Sequence, residues 1–203
     1  MTTTYTVTYF DARGRAEPIR LLLSYAGVPF EDRGMSPDEW AKAKADAPLG
    51  QLPFLTERRD GETRVIPESM AILRHLARVH GLEGKTEDER LAADVAAEAA
   101  LDARNAHSAL RFSPAWGDES AKAKFAAEVV PTHLARLDQL LADRTWYAAS
   151  APLWADIYVY DTLDRFVANW PAILASWPRL AAFHARVTAL PQLSRYLATR
   201  RPA

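Results

Sequence analysis

The spacing of apolar residues divides the chain into a mixed first part and an all-helical second part. Alternation of Thr with Tyr or Val over residues 4–10 predicts a strand, and Ile19, Leu22 and Leu23 recur at helical spacing. The elements predicted for the first part are, in order, strand 4–10, helix 15–26, strand 28–32, helix 36–44, strands 51–55 and 64–66, and a helix from 69 to about 80. This βαβ-α-ββα order implies two parallel strands joined by a right-handed crossover, followed by an antiparallel hairpin.

After this first part the pattern is helical throughout. The predicted helices cover residues 89–110, 121–141, 154–169, 177–190 and 192–199, and Pro131 is expected to kink the second of them. Glycines and charged residues at positions 81–86, between the two parts of the chain, mark a linker before the first of these helices. We therefore predict an α/β domain over residues 1–81, a linker over 82–86, and an all-α helical bundle over 87–203.

Composition narrows the class of protein further. The chain has 203 residues, a formal net charge of −1 and no cysteine. Mixed charges give no attraction to nucleic acid or to an anionic membrane surface, and the lack of cysteine excludes disulfides, a thiolate nucleophile and cysteine-based metal sites. The first residues lack a signal-peptide pattern, and no apolar run is long enough to span a bilayer, so we expect a cytoplasmic protein. The five histidines show no metal-ligand spacing and are interpreted as structural.

The stretch from Gly50 to Ser69 has the features of a peptide-binding hairpin. It places extended backbone beside Pro53 at one end and the start of a helix at Ser69 at the other. A ligand there could pair with the backbone like an added strand and present an anionic group to the helix N–H groups. The pattern therefore favours a small acidic peptide.

Four motifs carry a resemblance to a known family: Tyr-Phe-Asp-Ala-Arg-Gly-Arg-Ala-Glu at 9–17, Gly-Gln-Leu-Pro at 50–53, Glu-Ser-Met-Ala-Ile-Leu at 68–73 and Trp-Ala-Asp at 154–156. With the element order, they make the whole chain similar to the cytosolic glutathione S-transferases. The first motif is particularly similar to the sigma class, the group that contains haematopoietic prostaglandin D synthase and the S-crystallins. The resemblance implies a thioredoxin-like glutathione-binding domain followed by a helical domain.

By this resemblance, Tyr9 donates a hydrogen bond to the glutathione sulfur and stabilises its thiolate. Lowering a thiol pKa from about 8.5 to about 6.5 needs roughly 3 kcal/mol, and a hydrogen bond to a charged group contributes about 1.5–3 kcal/mol. One hydroxyl therefore supplies most of the effect, and Arg15 would add positive potential. From the residues alone, Tyr9 could equally be a packing aromatic, as Tyr5 on the same strand face is expected to be.

The resemblance also implies a set of glutathione contacts: Trp40, Lys44, Gln51, Leu52, Pro53, Glu68 and Ser69. A cis peptide bond before Pro53 would turn the Leu52 backbone towards the cysteinyl part of glutathione, although an ordinary strand-entry proline fits the sequence as well. The N–H of Ser69 would hold the γ-glutamyl carboxylate, a role compatible with a plain helix cap. On spacing alone, Trp40 and Lys44 could be a packed aromatic and a solvated lysine.

One further contact implied by the resemblance comes from a second subunit. Asp102 would reach across the two-fold interface of a homodimer to the glutathione of its neighbour. Asp94, Glu98 and Asp102 recur at helical spacing, and a solvated acidic face is the alternative interpretation of that stripe. Prostaglandin D synthase holds Mg²⁺ between acidic helices at this interface. Because Leu101 takes one of the acidic positions here, we predict no metal.

The predicted function is therefore conjugation of the glutathione thiolate to a hydrophobic electrophile, with glutathione as co-substrate. The second substrate is expected against Phe10, Arg13 and residues 107–112. One alternative is a glutathione-dependent isomerase or peroxidase, as prostaglandin D synthase is. Another is a non-catalytic glutathione-binding or structural protein, as the S-crystallins are.

Overall fold

The structure, a computed structural model, describes residues 3–201. Its strands are β1 (Thr4–Phe10), β2 (Glu31–Met35), β3 (Phe54–Arg59) and β4 (Glu62–Pro67). Its helices are α1 (Glu17–Tyr25), α2 (Pro37–Ala43), α3 (Ser69–Val79), α4 (Glu87–Arg111), α5 (Glu119–Lys124), α6 (Val130–Leu141), α7 (Trp154–Asn169), α8 (Pro178–Thr188) and α9 (Pro191–Thr199).

The described residues form two compact units. One contains the residues up to Leu82 together with those from Thr188 onward, and the other is Glu83–Val187. The first unit therefore contains the sheet, α1 to α3 and α9, which packs on α1. The sequence pattern placed this last helix in the helical domain, and the predicted domain limits stay a prediction.

The sheet of the first unit has the strand order β2-β1-β3-β4. β1 is parallel to β2 and antiparallel to β3, and β3 is antiparallel to β4. This is the βαβ-α-ββα arrangement predicted from the sequence. The core forms where β1 and β3 meet α1 and α3, and its fully buried side chains include Val7, Leu22, Leu55, Ile72 and Leu76.

Two strands begin three residues later than the sequence pattern predicted, and local chemistry explains both differences. Residues 28–30 precede β2 because Val28 closes the end of α1, where its N–H donates to the Leu23 carbonyl at 2.9 Å and Gly27 has a φ of +68°. This is a Schellman-type helix end, and glycine takes the left-handed position without strain. β3 begins at Phe54 because Pro53 has no N–H to donate to a neighbouring strand.

The second unit is helical, as predicted. The predicted helix over 121–141 is divided into α5 and α6 by a π-helical turn at Phe125–Val129. Pro131 follows in the first turn of α6. Proline cannot donate the hydrogen bond that a continuous helix requires at this position. Between residues 3 and 201, no helix has the length and hydropathy needed to cross a membrane.

Asp156 and His107 are among the buried titratable side chains in the core of the second unit. Asp156, in the first turn of α7, accepts hydrogen bonds from the N–H groups of Tyr147 at 2.9 Å and Leu153 at 2.8 Å, while burial raises its pKa to about 6. His107 on α4 is only 3% exposed, and burial lowers its pKa to about 4, with Arg165 contributing in the same direction. Both groups occupy positions where the charged form is disfavoured.

His107 lies inside a shell of aromatic rings rather than at an open surface. The rings of Trp116, Phe125, Phe166 and Trp170 meet it edge-on, with centroid distances of 5.6, 6.5, 6.0 and 5.9 Å. The prediction that this histidine is structural agrees with its surroundings. The expectation that residues 107–112 line the second-substrate site stays a prediction, and the enclosed His107 side chain shows that this residue packs in the core.

The titration of His107 gives a prediction for stability. Because its folded pKa is lowered to about 4, its contribution to stability is present above about pH 6.5 and is lost as the pH falls towards 4. The difference between the unfolded and folded pKa values of His107 corresponds to about 3 kcal/mol, at about 1.4 kcal/mol per pKa unit. We expect wild type to lose up to this much relative to a His107→Gln variant between pH 6.5 and 4.

Urea unfolding of both proteins at several pH values measures this difference. Asp156 titrates in the same range with the opposite sign, since its raised pKa removes stability as the pH rises through about 6. Because Asp156 is present in both proteins, its contribution cancels in the free-energy difference between them. A free-energy difference that does not change with pH would contradict a lowered pKa for His107.

Candidate active site

Three separate segments of the first unit meet at one end of its sheet. Strand pairing sets Thr8 opposite Phe54 and Phe54 opposite Pro67. The carboxyl end of β1, the start of β3 and the end of β4 therefore lie side by side. This places Tyr9, the Leu52–Pro53 bond and the start of α3 around the same edge, where sheets of this type collect their ligands.

Tyr9 lies in this group and rests on the turn that follows its own strand. It is half-buried, and Gly14 in that turn has a φ of +44°. A Cβ atom added to Gly14 would lie 2.5 Å from the Tyr9 hydroxyl oxygen and 2.7 Å from Cζ of the ring. Only a residue without a side chain allows the tyrosine to take this position.

The loop before β3 has the backbone form predicted from the resemblance. The Leu52–Pro53 peptide bond is cis, which confirms that prediction. Pro53 is buried, Leu52 is half-buried and Gln51 is exposed. The loop passes α2 closely, because a Cβ on Gly50 would lie 3.7 Å from the carbonyl oxygen of Lys44.

The junction between β4 and α3 differs in one detail from the sequence-based interpretation. Glu68, rather than Ser69, occupies the N-cap position, and its carbonyl accepts the Ile72 N–H at 2.9 Å. Ser69 is the first residue of the helix. Glu68 is exposed and has a φ of +68°, a region that non-glycine residues rarely adopt and that is found at ligand-binding positions. The sequence signals the abrupt helix start but not this conformation.

Trp40 contacts the same edge from α2, and Lys44 is the C-cap residue of that helix. A capping box between Ser36 and Glu39 fixes the start of this helix. The Trp40 ring meets Phe10 edge-on at 6.1 Å, and Phe10 meets Tyr9 at 5.5 Å. Lys44 ends the helix with an exposed side chain, available to an anionic group.

The two predicted arginines of the turn take different positions. Arg15 is exposed, and its predicted contribution to catalysis stays a prediction. Arg13, expected beside the second substrate, donates from Nε to the carbonyl oxygen of Arg201 at 2.6 Å. The sequence contained no signal for this contact, which joins residues 188 positions apart.

Asp102 belongs to the helical unit. Its carboxylate lies on the surface of α4, 67% exposed, at 3.9 Å from Arg136 on α6. In the same unit Phe112, part of the predicted second-substrate stretch, is 85% exposed. Over residues 3–201 no three His, Asp or Glu side chains form a group that could hold a metal ion. The predicted absence of a metal stays a prediction.

Comparison with known proteins identifies the family. The family model "Glutathione S-transferase, N-terminal domain" matches residues 5–78, and "Glutathione S-transferase, C-terminal domain" matches residues 102–200. Hematopoietic prostaglandin D synthase of Gallus gallus is 35% identical, over 97% of this chain and 96% of its own length. Glutathione S-transferase Mu 4 of Mus musculus is 34% identical, over 97% and 91%. The sigma class enzyme of Fasciola hepatica superposes with a TM-score of 0.89 at 32% identity, covering 98% of this chain and 97% of that one.

The fold and these matches together define a thioredoxin-like, glutathione-dependent enzyme. The chain belongs to the glutathione S-transferase family. The predictions of family, fold class and glutathione conjugation are thereby confirmed, and glutathione is the co-substrate of this family.

The contact between Tyr9 and Gly14 gives a prediction for activity. Replacing Gly14 by Ala should displace the tyrosine ring, because the added methyl group and the ring cannot occupy the same space. Small displacements of catalytic groups can reduce rates by up to about 10²-fold, and we expect kcat/KM for conjugation to fall at least about tenfold. Conjugation of chlorodinitrobenzene by purified variants measures the effect.

Gly27→Ala is the matched control for this substitution. Gly27 also has a positive φ, +68°, but a Cβ there would meet nothing within 4 Å. Both variants should lose stability through backbone strain, and only Gly14→Ala should lose activity. Equal activity in the two variants would show that the contact with Tyr9 is unimportant.

Proposed function

We propose that this transferase stabilises the glutathione thiolate with the hydroxyl of Tyr9 and adds it to hydrophobic electrophiles. The observation that carries the proposal is the position of Tyr9, at the sheet edge where the cis Leu52–Pro53 bond and the start of α3 also lie. An extended tripeptide at this edge could pair with the Leu52 backbone at its middle. Its γ-glutamyl carboxylate would then face the N–H groups of α3.

Different residues are assigned to the binding of glutathione and to the chemistry at its sulfur. The N–H groups at the start of α3 favour an anion, and Ser69 is the first of these residues. Lys44 is exposed near the loop before Pro53 and can pair with the glycyl carboxylate. Glu68 can bind the γ-glutamyl ammonium, and Trp40 can hold the glycyl end of the tripeptide. These residues bind glutathione, whereas Tyr9 acts on its sulfur.

Removing the Tyr9 hydroxyl tests the catalytic part of this proposal. A hydrogen bond to a thiolate contributes about 1.5–3 kcal/mol, so Tyr9→Phe should lower kcat/KM by about 10- to 150-fold. It should also raise the pH at which bound glutathione ionises, because the thiolate loses a donor. Stopped-flow conjugation of chlorodinitrobenzene and the thiolate absorbance of bound glutathione measure both effects.

Tyr5→Phe is the matched control, since it removes the same atom from the same strand. Tyr5 is buried in the core at 3% exposure, and its hydroxyl has no place in the proposed mechanism. Retention on immobilised glutathione should survive both substitutions. Undiminished turnover in Tyr9→Phe would refute the mechanism, and binding without turnover in wild type would favour a non-catalytic role like that of the S-crystallins.

A second candidate activity has support from one relative. A protein named hematopoietic prostaglandin D synthase is 35% identical to this chain over 97% of it. Glutathione-dependent isomerisation or peroxide reduction would use the same thiolate. Incubating the protein with prostaglandin H₂ or with cumene hydroperoxide in the presence of glutathione distinguishes these reactions from conjugation.

The proposal includes a homodimer in which Asp102 contacts the glutathione of the neighbouring subunit. Its carboxylate is well exposed, and α4 also exposes the apolar side chains of Leu91 at 60% and Val95 at 45%. Small buried alanines on the same helix, such as Ala93 and Ala97, let it pack closely within its own unit. Cytoplasmic localisation stays a prediction from the sequence.

Substitution of Asp102 tests the shared site. An exposed charged contact is worth up to about 1 kcal/mol, so Asp102→Asn should weaken glutathione binding by up to about fivefold without changing kcat. Sedimentation equilibrium should give twice the 22.6 kDa mass of the chain for both proteins. Glu98→Gln, one turn earlier on the same helix, is the control, and an equal effect there would argue against a specific contact.

A further inference from the structure

Arg201, which follows α9, contacts the turn between β1 and α1. Arg201 donates from Nε to the Asp11 carboxylate at 2.5 Å, and its guanidinium also pairs with Asp32 on β2. Its carbonyl oxygen accepts the hydrogen bond from Arg13 at 2.6 Å. The Arg201 side chain is 20% exposed, whereas its partner Asp11 is 77% exposed. A residue far along the chain thus holds both ends of a short turn.

This contact lies beside the strand position of Tyr9. Gly34 pairs with Tyr9 across β1 and β2. A Cβ on Gly34 would lie 3.0 Å from an Asp11 carboxylate oxygen and 3.2 Å from an Arg201 guanidinium nitrogen. These distances are tighter than ordinary contacts, so the absence of a side chain at Gly34 lets the ion pair approach the sheet.

The same turn is held from its other side by a buried charge. Arg20 donates to the carbonyl oxygens of Ala12 at 2.9 Å and Arg13 at 3.2 Å. It also pairs with Asp32 at 2.8 Å, so Asp32 joins Arg20 and Arg201. Removing the Arg201 side chain would leave these contacts between Arg20 and the turn carbonyls in place.

We propose that Arg201 is a positioning residue for the Tyr9 hydroxyl, acting through the Asp11 carboxylate and the Arg13 side chain on the turn that contains Gly14. The inference rests on the proposed role of Tyr9. Gly14 is the residue of the turn that lies against the Tyr9 ring. A shift of the turn would therefore move the surface on which the ring packs. Arg201 has no part of its own in the proposed chemistry, so its effect on catalysis is expected only through Tyr9.

The test compares Arg201→Gln and Asp11→Asn with wild type. We expect each to lower kcat by about tenfold, since small displacements of a catalytic group have effects of this size. The pH at which bound glutathione ionises should rise by about one unit, which is the same tenfold change. The KM for glutathione should change by less than about twofold, because the backbone of Leu52 and the start of α3 are unaltered. Asp11 is 77% exposed, so its variant is expected to fold even if Arg201→Gln does not.

A double variant separates a shared role from two independent ones. If Arg201 and Asp11 act as one contact, the double variant Asp11→Asn with Arg201→Gln should have the same kcat as the slower single variant. Multiplied losses would overturn the proposal. Arg195→Gln is the charge-matched control, because Arg195 is exposed on α9 and lies in the same segment. It should behave as wild type.

The remaining outcomes distinguish this inference from the proposed function. If Tyr9→Phe abolishes thiolate stabilisation while Arg201→Gln and Asp11→Asn leave the ionisation of glutathione unchanged, only the positioning role is wrong. The same holds if both variants lose stability but keep kcat and the ionisation pH, since the contact would then serve folding alone. If Tyr9→Phe keeps full turnover, both the proposed mechanism and the positioning role are refuted.

Discussion

The first unit depends on the ion pairs and hydrogen bonds of the buried Arg20 guanidinium. It is fully enclosed and faces the carboxylates of Asp32 at 2.8 Å and Glu17 at 3.5 Å as well as the carbonyl oxygen of Ala12. Leaving one partner of such a buried pair uncompensated typically costs about 3–5 kcal/mol. Because its partners come from β2, α1 and the turn between β1 and α1, this charge fixes three elements relative to one another.

Near Arg20, the position of Tyr9 depends on the space that neighbouring residues leave as well as on attractive contacts. Gly14 and Gly34 lie on either side of Tyr9, one beneath its ring and the other across the neighbouring strand. Each leaves room for a close approach that a methyl group would prevent. The strained backbone of Glu68 adds a third local constraint at the start of α3. The positive φ values of Gly14 and Glu68 are unfavourable for a typical residue, so the surrounding packing must hold both in place.

Much of this arrangement could be predicted because it is local in sequence. The strand that ends with Tyr9, the helix that begins beside Glu68 and the cis bond at Pro53 are all encoded within short motifs, and the structure contains each of them. Contacts between distant residues could not be predicted, since no periodicity links Arg201 to Asp11. The start of β2 was also missed, because its preceding residues satisfy the end of α1 rather than a neighbouring strand.

The grouping of α9 with the sheet has a consequence for biosynthesis. The unit that contains Tyr9 is assembled from both ends of the chain, and residues 83–187 are inserted between its two parts. A ribosome releases the chain from its first residue onward, and units generally fold as they emerge. The helical insert is therefore complete before α9 is available to the sheet. The turn between β1 and α1 therefore acquires its ionic contact with Arg201 only after the helical insert has been synthesised.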